Sequence, residues 1–144
     1  EITLKELHCG SCHTFVTLKL DGDESINVFL QNLISSNPNA AKGLQTSMQT
    51  IASTEFFQNE RKFKRVGSGI FEIKVPGIRL YCFKDHIEGV EAKLIIATNG
   101  GKKNNAKEQH FDIKRAEHMR DRYLAAKELA DTKLNYETLH EIEY

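Results

Sequence analysis

The chain has 144 residues and carries 20 basic and 20 acidic side chains, for a formal net charge of zero. That length suits a single domain, 1–144, with a real core. No apolar run is long enough to span a bilayer, no secretory-type leader opens the chain, and 2 prolines with little low complexity argue against disorder.

The zero net charge conceals a sorting of charge. Residues 1–60 have 3 basic and 7 acidic side chains, 61–127 have 16 and 8, and 128–144 have 1 and 5. Charged solvent faces of helices account for much of 114–128. They account less well for acidic flanks around a basic centre. Such a centre is the electrostatic footprint expected for nucleic acid. It makes Arg61, Lys62, Lys64, Arg65 and Lys107 candidate RNA contacts. An acidic tail could instead fold over the basic surface or meet a basic partner. The 3 cysteines are an odd number and fit a closed disulfide framework poorly. Together with the missing leader, this favours a reducing cytoplasm and no membrane partner.

Residues 14–20 (TFVTLKL) alternate with a period of two and read as a strand, with 2–7 as a weaker partner strand. Asp21-Gly22 marks a turn. Asp23 or Ser25 can cap a helix whose apolar face is Ile26, Phe29, Leu30, Leu33 and Ile34. Asn37-Pro38 stops it and starts another, with Asn37 as N-cap and Pro38 at N1. Leu44, Met48, Ile51 and Ala52 are the second buried stripe, so an αα-hairpin is expected.

Residues 55–66 are polar and basic, tacked to the core by Phe56, Phe57 and Phe63. Strands follow at 70–75 and 78–83, joined by a Pro76-Gly77 turn. The apolar run 92–98 reads as a central strand ended by Asn99-Gly100-Gly101. From Lys107 helical spacing resumes, with Phe111, Ile113, Ala116, Met119, Tyr123, Leu124 and Ala126 as its stripe. Residues 131–144 extend this helix or form a short separate one. The order implies an α+β domain with helices on one side of a small, mostly antiparallel sheet.

Within 69–83 the pattern Gly-Ile-Phe-Glu-Ile-Lys…Gly-Ile-Arg-Leu-Tyr resembles the RelE/HigB-type toxins of bacterial and phage toxin–antitoxin pairs. The strand and Lys pair at 94–103, the charged helix with Arg115-Ala116, and the helix SINVFLQNL at 25–33 continue the resemblance. It spans roughly residues 14–127 and is sharpest over 69–116. It implies a RelE-like fold with an N-terminal αα-hairpin and a C-terminal helix. It further implies an mRNA endoribonuclease that acts on the ribosome and is silenced by an antitoxin protein. Such an enzyme uses no metal or other cofactor: the RNA 2′-hydroxyl attacks the adjacent phosphate. The chain departs from the family where Gly100-Gly101 replaces a bulkier residue, and where His110-Phe111 stands in place of a tyrosine.

The transition state of that reaction gathers negative charge on the phosphate, so fixed cations aimed at it lower the barrier, by ~3–4 kcal/mol for a well-placed donor. Arg79, just after the Pro-Gly turn, offers a planar fork to phosphate oxygens. Lys74 shares a strand face with Glu72 and could be a phosphate contact or a general base, or could simply salt-bridge across the sheet. Lys102 and Lys103 lie past a strand end, either presented to ligand or merely solvated. His110 is the candidate acid or base, with a helix-surface role as its alternative. His118 reads as a surface residue.

The cluster His8-Cys9-Gly10-Ser11-Cys12-His13 contains a CxxC, the spacing of a zinc knuckle or a redox dithiol. Cys9 and Cys12 could complete a tetrahedral site with Cys82 and His86 if the first strand lay against the third. Cys82 can equally be a small buried hydrophobe.

Overall fold

The computed structural model describes residues 1–103 and 105–139. Strands β1 (Ile2–Cys9) and β2 (Thr14–Leu20) form a hairpin. Helices α1 (Ser25–Ser36) and α2 (Pro38–Ala52) follow, then β3 (Phe63–Arg65), β4 (Phe71–Val75), β5 (Ile78–Asp85) and β6 (Leu94–Lys102). Helix α3 (Ala106–Glu128) and β7 (Leu134–Glu137) complete the described chain. All 7 strands lie in one sheet, in the order β3-β4-β5-β6-β2-β1-β7. Neighbours are antiparallel except β2–β6 and β1–β7. The fold is therefore α+β with a mostly antiparallel sheet, larger than the sequence suggested.

Local chemistry explains the helix starts. The Asn37 side chain accepts from the backbone N–H of Ala40 at 3.2 Å, and Pro38 needs no partner for an N–H it lacks. At α1 the cap position falls on Glu24, which makes no side-chain cap bond. Asp23 instead accepts from the Ser25 backbone N–H at 3.1 Å. Asn105 caps α3 by accepting from Glu108 N–H at 2.9 Å.

The helices do not share one side of the sheet. Helices α1 and α2 pack on one face, where Ile26, Leu44 and Ile51 meet Ile73, Leu80 and Ile95. Helix α3 packs on the other, where Ala116, Met119 and Tyr123 meet Phe83, Val16 and Ile96. The expectation of one covered face fails because β5 and β6 are apolar on both. Ile78 to Phe83 and Leu94 to Asn99 are buried without interruption. A strand buried on both sides loses its alternation and demands two covering layers.

Four further expectations are corrected. Strand β6 runs through Asn99-Gly100-Gly101 to Lys102 instead of ending there. These glycines serve close approach: a Cβ on Gly100 would strike the Phe29 ring, and one on Gly101 would strike the Asp112 carboxylate. The α3 stripe is narrower than its spacing implied, because Phe111 and Leu124 are exposed. Phe56 likewise lies in solvent at 77% exposure, while Phe63 and Phe57 do pack on the core. Beyond α3 the described chain returns as β7, a strand and not a helix, pairing with β1. The remainder of the 131–144 segment, from 140 onward, lies outside the described residues. No helix among the described residues is long and apolar enough to cross a membrane.

A polar clasp fastens α3 to β5. Tyr123 Oη and Lys127 Nζ both donate to Asp85 Oδ2, at 2.6 and 2.8 Å. Burial pushes the Asp85 carboxyl up, but the bonds from Lys127, Tyr123 and the His86 backbone outweigh it and hold the group below its ordinary value. A depressed folded value gives stability that is present above the unfolded pKa and lost as pH falls through the folded one.

Two outcomes are expected. Asp85→Asn will cost about 1–3 kcal/mol at neutral pH, and its stability will fall less steeply in acid than the parent's, as read by urea unfolding across a pH series. Gly100→Ala will lower stability by about 1–3 kcal/mol through overpacking against Phe29, visible as a drop in melting temperature with the circular dichroism spectrum unchanged.

Candidate nucleic-acid interface

Helix α3 leaves part of its sheet face open at the β3 edge. Antiparallel register fixes what lies there. Lys64 pairs with Glu72, which pairs with Tyr81; Lys74 pairs with Arg79, which pairs with Gly101. Directly opposed residues in a sheet project from the same face. The Lys74 N–H donates to the Lys62 carbonyl at 2.8 Å, prolonging the ladder by one residue. Lys103 is tied to the Pro76-Gly77 turn by its N–H, which donates to the Gly77 carbonyl at 2.9 Å.

An open groove of about 450 Å³ results, lined by Lys64, Arg65, Val66, Glu72, Lys74, Arg79, Lys103, Gln109 and Ile113. Lys64, Arg65 and Lys103 are exposed and Lys74 is half-buried. Among the described residues none of these four forms an ion pair with an acid. Glu72 is the one carboxylate in the lining, and it is already paired.

That pairing redefines Arg79. The side chain is buried, with Nε 2.6 Å from Glu72 Oε1. Nη1 donates to the carbonyls of Val75 at 3.0 Å and Ile78 at 2.9 Å. The Nε–H makes no directed hydrogen bond, so its contact with Glu72 is ionic. Arg79 is thus a strut in the groove floor, braced against its own turn, and the cross-sheet salt bridge considered for Lys74 belongs to Arg79 instead.

The other expected site residues divide. Lys74 and Lys103 reach the groove with Lys64 and Arg65. Lys102 does not: it pairs with Ile78, whose side chain is in the core under α1 and α2, so successive lysines at the end of β6 point to opposite faces. His110 is exposed on α3, outside the lining. Gln109 and Ile113 hold the groove-facing stripe, and the next residue along a helix is turned about 100° away. Arg61, Lys62 and Lys107 are exposed around the groove without lining it.

The sequence reading missed Gln109 and Ile113 as lining residues. Their i, i+4 spacing was visible, but nothing in the sequence said which strand they would face. It also missed Lys84, whose Nζ sits 4.8 Å from the Phe71 ring centroid on the opposite face.

The thiols and histidines do not converge. Cys82 is fully buried in β5, its thiol 3.7 Å from the Phe71 carbonyl, while His86 is exposed beyond the strand. No group of three or more His, Cys, Asp or Glu able to hold a metal occurs among the described residues. The assumed neighbourhood is absent because β1 lies across β2 and β6 from β5. Burial and the Glu6 carboxylate push the Cys9 thiol up, away from the thiolate form. Burial and the charges of Lys84 and Lys93 push His13 down, favouring neutral imidazole.

A scan against protein-family models finds no match, and comparisons with curated proteins and with solved structures find none either. The class of the molecule therefore rests on its own geometry: an α+β domain with a cation-lined groove beside a buried ion pair.

Removing one member of a buried pair strands the other. Arg79→Ala and Glu72→Gln are each expected to cost about 3–5 kcal/mol, measured by chemical denaturation. A functional loss in Arg79→Ala therefore has to be read against its folded fraction.

Proposed function

We propose that the protein binds single-stranded RNA by its phosphodiester backbone in this groove and cleaves it without a metal, as a toxin-type endoribonuclease of RelE-like fold. The observation that carries this reading is the meeting of Lys64, Arg65, Lys74 and Lys103, from three separate chain segments, on one groove whose sole carboxylate is neutralised by Arg79. Unpaired cations fixed on a sheet cost little to reorganise and suit a linkage that gains negative charge as it reacts. The resemblance of residues 69–103 to RelE/HigB-type toxins supplies the reaction: attack of the 2′-oxygen on phosphorus and departure of the 5′-oxygen. In this arrangement Lys74 and Lys103 contact the phosphate, Lys64 and Arg65 guide the flanking strand, and Arg79 holds the floor. On the same resemblance, the proposed setting is cytoplasmic mRNA on the ribosome, with an antitoxin as silencing partner.

A second reading is a module that binds RNA without cutting it. It is favoured by the position of His110 outside the groove and by the internal commitments of Arg79.

Fluorescence anisotropy with a labelled RNA oligonucleotide tests the shared claim. Lys74→Ala and Lys103→Ala should each weaken binding and lower the slope of log affinity against log salt by about 0.7. Lys102→Ala should leave both unchanged. RNA binding that is absent, or indifferent to salt, would sink the proposal. Denaturing gels of the same RNA separate the readings: fragments with 5′-hydroxyl ends support cleavage, and intact RNA supports the binding module.

A further inference from the structure

The cations of the groove answer for the backbone of a bound strand and say nothing about its bases. Contacts to phosphate position a nucleic acid, and contacts to base edges specify it. Base edges carry amino donors as well as acceptors, so reading them takes a group that accepts. Lys64, Arg65, Lys74 and Lys103 only donate. Arg79 is committed to Glu72 and to the carbonyls of Val75 and Ile78, and Glu72 is committed to Arg79. Val66 and Ile113 are aliphatic. Among the described residues that line the groove, Gln109 alone has a side chain free both to donate and to accept.

The surroundings of Gln109 suit that task. Its backbone N–H donates to the carbonyl of Asn105, the cap of α3, at 3.1 Å, so it stands on the fixed first turn of the helix. The residue is half-buried, and no hydrogen bond among the described residues uses its side-chain amide. Ile113 follows one turn later on the same stripe. It lies against Gly67, where a Cβ would come within 3.0 Å of Ile113 Cγ2. Val66 and Ile113 are both half-buried and pack on the same core beneath α3. They give the groove an apolar shelf beside the amide, and apolar side chains can seat the face of an unstacked base.

We propose that Gln109 reads the base seated on this shelf and selects adenine, an inference that rests on the RNA-binding reading of the groove above. The amide oxygen accepts from the adenine N6 amino group while the amide nitrogen donates to N7. On that edge guanine offers two acceptors, uracil an acceptor without a donor, and cytosine an amino group without an adjoining acceptor. None of them fills both halves of the amide. On their Watson–Crick edges all the bases set a donor beside an acceptor, and an amide that turns over satisfies each of them. Selection by Gln109 is therefore a reading of N7 and N6.

The test is fluorescence anisotropy with labelled 2′-O-methyl uridine oligonucleotides, which resist cleavage. Each carries a central adenosine, guanosine, cytidine or 7-deazaadenosine, the last lacking the N7 acceptor. The parent should bind the adenosine oligonucleotide about tenfold more tightly than the all-uridine one, and 7-deazaadenosine should remove most of that gain. Gln109→Leu, shown folded by urea unfolding, should bind all of them alike and keep the salt dependence of the parent. An adenosine preference that survives loss of N7, or survives Gln109→Leu, overturns the assignment, and so does a preference of the parent for another base. Salt-sensitive binding without base preference also overturns it, while leaving the groove as an RNA site. If neither these oligonucleotides nor unmodified RNA binds, the reading of the groove fails and this assignment with it. The 7-deazaadenosine comparison needs only the parent protein, so it decides the matter even where the variant does not fold.

Discussion

The constraint on which the structure turns is that β5 and β6 are apolar on both faces. A strand pair of this kind cannot stand at a surface, so one helical layer must cover each side. Helices α1 and α2 supply one layer and α3 the other. The α3 layer is a single helix, too narrow to hide the whole width of the sheet. The uncovered remainder, toward β3, is where side chains change from apolar to charged. The groove is thus the place where the second layer runs out, and its polarity follows from that shortage of cover.

Within that opening, the pair of Arg79 and Glu72 divides structural from available charge. Both side chains are about nine-tenths buried, which is costly for isolated ions and tolerable only for paired ones. The pair lets a charged floor exist beneath the groove without presenting an anion to ligand. Lys74, one register position from Glu72 along the same face, is left uncompensated and half-exposed. Site electrostatics here depend on one carboxylate being consumed by its neighbour.

Much of this was legible in the chain. Asn37-Pro38 and Pro76-Gly77 specify their turns by local chemistry alone, and both stand as expected. The alternation at 14–20 and the apolar density at 92–98 located two strands. What escaped was non-local. Nothing near Gly100-Gly101 in sequence says that Phe29 and Asp112 will press on them, so two glycines read as a strand end instead of a close contact. Lys102-Lys103 looks like a unit, yet strand alternation sends its members to opposite faces.

The β3 edge carries a further implication. It is a three-residue strand at the margin of the sheet, and Lys64 and Arg65 make up its C-terminal two residues. Unpaired strand margins invite another chain to add itself, and like charges there repel such an addition. The cations proposed to hold RNA therefore also disfavour pairing of two copies along this edge. Were RNA to occupy them, its charge would cancel that repulsion and leave the margin freer to pair.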